Sequence, residues 1–202
     1  MASGRADAGN PDTRTRIREA AARLFRRQGY PGTGLKQIAA ESHAPFGSIY
    51  HFFPGGKDEL VEDVIRSTGP EYMRVVHALL ESVPDPLEAL EVAFRAAAED
   101  LAATDYADAC PIATVALEVA STNETLRTAT ADVFTEWVTE GAKWFGRFVP
   151  DESEARRLAL AMISILEGAF VLSRAQRSGE PLRAAGQSMV DLTRSALERG
   201  SR

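Results

Sequence analysis

Apolar residues recur along this chain at three- and four-residue spacing almost everywhere, and runs of alternating β-branched residues are nearly absent. That periodicity predicts an all-α protein. Ile17, Ala20, Ala21, Leu24 and Phe25 mark a first helix. Asn10-Pro11-Asp12 is read as its start, with Asn10 as cap and Pro11 at the first helical position, and Gly29 as its stop. Two short apolar segments follow, residues 35–42 and 46–52, separated by His43-Ala44-Pro45. A longer pattern over 57–83 carries Leu60, Val61, Val64, Ile65, Tyr72, Val75, Val76, Leu79 and Leu80. Gly69-Pro70 in its middle predicts a kink or break.

Further helices are expected over 87–103 and 112–120. A long one is capped by Asn123, and two more cover 153–178 and 181–199. Ser82-Val83-Pro84-Asp85-Pro86 reads as a linker, and Pro150-Asp151 as the end of the long helix.

Helices as short as 35–42 and 46–52 are marginal in water and must pack against something. Ile38 and Ala39 with Ile49 and Phe52 supply contacts that let the two cross steeply. This is the layout of a helix-turn-helix, whose second helix enters a DNA major groove. Gly47, Ser48, Tyr50 and His51 would then face outward, with Ile49 and Phe52 in the core. Tyr30-Pro31-Gly32-Thr33-Gly34 forms the preceding turn.

Residues 33–60 resemble the DNA-binding motif of TetR-family regulators, through Thr33, Ile38-Ala39, Gly47-Ser48-Ile49-Tyr50, Lys57 and Leu60. The run from Ala44-Pro45-Phe46 to Gly55-Gly56-Lys57 is similar to the LmrA/YxaF-like subset. Cys110-Pro111 and Glu167-Gly168-Ala169 with Arg174 extend the likeness more weakly.

The resemblance implies an N-terminal three-helix DNA-binding domain at 11–56, after a disordered tail at 1–10. A larger helical ligand-binding and dimerisation domain follows at 57–202. It implies DNA contacts from Thr33, Lys36, Pro45, Phe46, Gly47, Ser48, Tyr50, His51 and Lys57. Thr33, Lys36, Tyr50, His51 and Lys57 are the phosphate candidates, and Arg14 and Arg16 on the first helix are weaker ones. Gly34 replaces a second threonine of the family pattern. His43 stands where the turn usually has glycine, and histidine tolerates positive φ better than most residues. Phe46 stands where relatives carry a polar side chain. Two readings remain open there: it packs on a thymine methyl, or it turns inward and reads nothing.

The same resemblance implies a small-molecule pocket, with Tyr72, Phe94, Cys110, Trp137, Met162 and Glu167 as candidates. Aromatic and methionine side chains suit a flat, lipophilic effector. Glu167 stands out because a carboxylate on an apolar helix needs a partner. Gly69-Pro70 is a candidate site for transmitting ligand-driven motion. The last two helices are expected to pair with their copies in a homodimer: Leu158, Met162, Ile165, Leu166, Ala169 and Leu172 exceed what one packed side consumes.

Charge sharpens this picture. Of 202 residues, the first 60 hold nine Lys/Arg against six Asp/Glu, and the rest hold fourteen against twenty-three. A basic end facing phosphates and an acidic remainder fit that division. One cysteine excludes an intramolecular disulfide and suits a reducing compartment. The polar start shows no secretory signal, and the apolar stretch 158–172, interrupted by Ser164 and Glu167, is read as too short to span a bilayer. A cytoplasmic protein with no membrane partner is expected.

No nucleophile–base pair, phosphate loop or metal-ligand spacing is visible, so no catalytic residue, metal or cofactor is assigned. The leading expectation is a ligand-responsive transcriptional regulator, a repressor, that binds palindromic operator DNA as a homodimer and is released by a small lipophilic or aromatic effector. A constitutive DNA-binding protein without effector is the alternative, followed by a helical small-molecule-binding protein or enzyme.

Overall fold

The structure is a computed structural model that describes residues 12–108 and 110–200. The predicted tail at 1–10, and Asn10 and Pro11 as helix start, lie outside those residues. Among the described residues the elements are all helical: α1 Thr13–Gly32, α2 Leu35–Glu41, α3 Phe46–Phe52, α4 Lys57–Leu80, α5 Pro86–Ala103, α6 Pro111–Val119, α7 Glu124–Phe145, α8 Glu152–Gln176 and α9 Glu180–Gly200. Asp12 caps α1, its carboxylate accepting from Thr15 N at 2.7 Å. Asp85, Asn123 and Asp151 cap α5, α7 and α8 in the same way. The predicted stop at Gly29 is present, since its φ of 71° interrupts the helical backbone and Tyr30–Gly32 forms a separate turn.

The α2–α3 corner is a Schellman closure. Ala44 N bonds Ala39 O at 3.1 Å and His43 N bonds Ala40 O at 3.2 Å, with His43 left-handed at φ 52°. Ala44 is buried beneath the corner. Ile38, Ala39, Ile49 and Phe53 seal the pair against Ile17, Leu24 and Phe25 of α1 and Leu60 of α4. Phe53, just past α3, is the aromatic that is fully buried there, whereas Phe52 is only partly covered. The period-based assignment of Phe52 to the core is therefore shifted by one residue, because the chain leaves the helix at Phe53.

Two apolar clusters build the molecule. One joins α1–α3 and the first half of α4 to α6 and the first half of α7. The other joins the end of α4 to α5, the second half of α7, α8 and α9. α4 crosses between them as one helix with Pro70 inside it, so of the kink or break expected at Gly69-Pro70 the break does not occur. Instead Gly69 is a contact point. A Cβ there would lie 2.6 Å from Val133 Cγ1 of α7, and the Gly69 carbonyl accepts the Trp137 indole N–H at 3.0 Å.

α8, 25 residues long, is the one helix among the described residues that is long and apolar enough, by length and composition, to cross a membrane; it extends beyond the apolar stretch 158–172 at both ends. Only about a third of its most apolar window is buried. Leu160, Val171 and Leu172 are exposed, and Ser164 and Gly168 lie on the same side of the helix.

Inside the bundle, burial raises the Glu167 carboxyl to about 7, with the Cys110 thiol beside it pulling back. Glu167 Oε1 has no hydrogen-bond partner. A raised carboxyl pKa means that the folded chain holds the proton more tightly than the unfolded chain. Stability is therefore intact below about pH 4 and is lost as pH climbs through 7, by at most ~3 kcal/mol. In Glu167→Gln this loss disappears: between pH 5 and pH 8 the variant gains about 2 kcal/mol on the wild type in urea melts. Gly69→Ala, which forces α4 away from Val133, should cost about 1–3 kcal/mol in the same melts at any pH.

Candidate nucleic-acid interface and ligand cavity

α3 presents an outward face built from its non-core positions. With Ile49 turned fully inward, Phe46, Gly47, Tyr50 and His51 are exposed and Ser48 is partly so. Phe46 is 43% and Tyr50 49% exposed, their rings meeting edge to face at 5.8 Å. Of the two readings of Phe46, the inward one fails, because Ala44 and Ile49 fill the space beneath the corner. Pro45 precedes the helix in the N-cap position and is exposed, as is Lys36 on α2. No atom lies within 4 Å of a Cβ built on Gly47, so the space in front of the helix is open.

Two predicted phosphate contacts stand elsewhere. Thr33 is 1% exposed and donates its hydroxyl to Gly29 O at 2.8 Å. Lys57 directs its ammonium to Tyr30 O at 2.5 Å, over the Tyr30 ring, and burial lowers its pKa. Both side chains are spent on the turn before α2, so neither is offered outward. Arg14 likewise pairs with Asp63 of α4 at 2.7 Å, and Arg16 reaches Ser42 O at 3.3 Å. These arginines tie α1 to α4 and to the end of α2.

Tyr30, absent from the sequence-based candidates, is where the elements meet. Its N–H donates to Glu118 of α6 at 2.5 Å, and its carbonyl accepts from Lys57. Its hydroxyl donates to Asp58 of α4 at 2.5 Å, and Asp58 also accepts from Asn123, the α7 cap, at 2.9 Å. Burial, then the Asp58 contact, pushes the phenol up to about 12, so Tyr30 remains a donor throughout the physiological range. Gly29 makes this possible twice over: its φ is positive, and a Cβ there would lie 2.0 Å from Glu118 Oε1. The sequence signal for Tyr30 was only a turn composition, which says nothing about distant partners.

Between α1, α4, α5, α6 and α8 lies a cavity of about 700 Å³, within the range of small-molecule sites. Tyr72, Phe94, Cys110 and Met162 line it, with Val76, Leu79, Leu166 and Phe170 among its apolar walls. Trp137 does not line it. The indole is buried behind Tyr72, ring centroids 5.3 Å apart, where its N–H is held by Gly69. Glu167 does not line it either: it faces a second, smaller hollow of about 340 Å³ between α6 and α8, shared with Cys110 and Arg174. Burial pushes both the Cys110 thiol and the Tyr72 phenol well above their ordinary values, so neither ionises near neutral pH. The cavity also touches Arg26 of α1, which is not among the sequence-based candidates. Among the described residues no group of His, Cys, Asp and Glu could hold a metal ion.

Comparison with known proteins agrees with this architecture. Residues 17–64 match the model of bacterial regulatory proteins of the tetR family, and residues 86–188 match the LmrA/YxaF-like transcriptional regulator C-terminal domain. The HTH-type transcriptional regulator YxaF of Bacillus subtilis is 34% identical over 91% of this chain and 96% of its own length. LmrA of the same organism is 30% identical over 90% and 96%. In fold, the chain is similar to the regulatory protein TetR from Rhodobacter sphaeroides, with a TM-score of 0.79 at 21% identity over 89% of this chain and 98% of that one. With a helix-turn-helix that opens outward and a C-terminal bundle of the matching type, the chain belongs to the TetR family of transcriptional regulators, in its LmrA/YxaF-like group.

Proposed function

We propose that this regulator binds a palindromic operator as a homodimer, represses from it, and is released when a small lipophilic molecule fills the 700 Å³ cavity. The observation that carries the DNA reading is the uncovered face of α3, where Phe46 and Tyr50 stand free over a closed core. Tyr50 and His51 bond backbone phosphates, and Gly47 and Ser48 let the backbone approach the base edges. Phe46 packs on a thymine methyl, and Lys36 adds a phosphate contact from α2. In this reading residues 11–56 form the reading head and residues 57–202 the sensor and dimerisation domain.

α8 supports the dimer. An apolar helix that leaves Leu160, Val171 and Leu172 exposed gains by covering them, and a second copy does so symmetrically through α8 and α9. Two reading heads on a two-fold axis then fit half-sites about one helical turn apart. The acidic second half of the chain turns away from the phosphates.

The cavity supports the release. Its walls come from α1 and α4 as well as from the C-terminal bundle, so a molecule that prefers one spacing of these helices biases the orientation of α3.

Binding to DNA flanking the coding region, followed by fluorescence anisotropy, tests the reading. Wild-type affinity should fall by about a hundredfold or more between 50 and 200 mM salt. Tyr50→Phe should weaken binding roughly tenfold, by removing one phosphate bond per protomer. Salt-independent binding, or Tyr50→Phe equal to wild type, would remove the phosphate role. Val171→Glu together with Leu172→Glu should convert a dimeric sedimentation profile into a monomeric one and abolish operator binding, while the helical circular dichroism stays unchanged. Operator binding that persists in a monomer would sink the dimer.

A further inference from the structure

Arg26 is the unexplained group in the cavity wall. It lies on α1, three residues before Gly29 and four before Tyr30, yet its side chain lines a cavity made otherwise by the C-terminal helices. Its Nε is buried with no hydrogen-bond partner among the described residues. Its neighbour Arg27 bonds Asp108 at 2.8 Å, so one of the three lining carboxylates is already engaged. The other two lining acids, Glu99 and Asp100, are exposed, where water screens them. A buried guanidinium donor without an acceptor is costly, and a guanidinium recognises a planar anion better than any other side chain does.

We propose that the effector is an apolar ring system bearing one anionic group, a carboxylate or a sulfonate, and that Arg26 holds this group. The inference rests on the cavity being the effector site. The ring system lies against Phe94, Met162, Leu166 and Phe170, and the anion pairs with the Arg26 guanidinium at the cavity wall. The bound molecule then pulls on α1 itself. Because α1 ends in the turn that Glu118 and Lys57 clamp through Tyr30, a shift of Arg26 reaches that clamp within about one helical turn.

Two dyes with one scaffold test this: 1-anilinonaphthalene-8-sulfonate and its neutral parent, N-phenyl-1-naphthylamine. Each is titrated by fluorescence into wild type, Arg26→Met and Arg26→Lys. Wild type is expected to bind the sulfonate about tenfold more tightly than the neutral dye. Arg26→Met should lose that preference while keeping its affinity for the neutral dye, and Arg26→Lys should retain part of it. Equal binding of the two dyes by wild type overturns the anion inference and leaves the cavity reading standing. So does a preference that survives in Arg26→Met, because the sulfonate would then be held at another basic site. Binding of neither dye overturns the cavity reading itself. The wild-type comparison stands even where a variant fails to fold.

Discussion

The junction between α1 and the helices of the C-terminal bundle converges on one tyrosine. Tyr30 sits between the helix that opens the chain and the pair that meets DNA, and three of its polar atoms bond to other elements. Through them α1, α4, α6 and, by way of Asp58 and Asn123, α7 are fixed to one point. Individually these bonds are worth about a kilocalorie each. Their shared anchor makes them a geometric constraint, since Tyr30 cannot move without loosening contacts on several helices at once. Gly29 is the condition for the arrangement, because a side chain would displace Glu118 from the Tyr30 amide.

The junction lies within an apolar cluster that joins the helix-turn-helix to the C-terminal bundle. The apolar cluster around α2 and α3 continues into α6 and α7 without an interruption at the start of α4. The cavity lies where this cluster meets the second one, with α1, α4 and α6 on one side and α5 and α8 on the other. α4 joins the two clusters as one continuous helix. Val133 presses on Gly69 and Trp137 bonds its carbonyl, so the middle of the helix is pinned to α7 while its first turn holds Lys57 and Asp58 at the junction.

What the sequence made legible follows from the range of each signal. Helical periodicity is local, and it placed the elements closely: α3 is Phe46–Phe52 as expected, and Gly29 stops α1. The outward set on α3 was legible too, because a seven-residue helix with Ile49 turned inward leaves little choice. Thr33 and Lys57 were misassigned as phosphate ligands because their inward partners lie in the turn backbone, whose path a pattern cannot give. Trp137 and Glu167 were placed in the cavity on chemical type alone, whereas packing sends one behind Tyr72 and the other towards α6. Arg26 and Tyr30 escaped notice for the same reason. Their roles depend on residues tens of positions away, such as Glu118 and Met162.

The basic balance of the first sixty residues also reads differently once the pairs are drawn. Arg14 and Arg18 reach Asp63, Arg23 reaches Glu41, Arg27 reaches Asp108, and Lys57 serves Tyr30. A free protein with its cations so engaged presents a weaker field than its composition suggests. Exposed ion pairs, however, are worth about 0–1 kcal/mol each, and a phosphate is a better acceptor for an arginine fork than a hydrated carboxylate. Exchanging Asp63 or Glu41 for a phosphate therefore costs little, whereas releasing Lys57 would dismantle the Tyr30 junction. The basic residues divide by this cost: the pairs on the exposed face of α1 are cheap to exchange, whereas Lys57 is held beneath the turn by the Tyr30 carbonyl and ring.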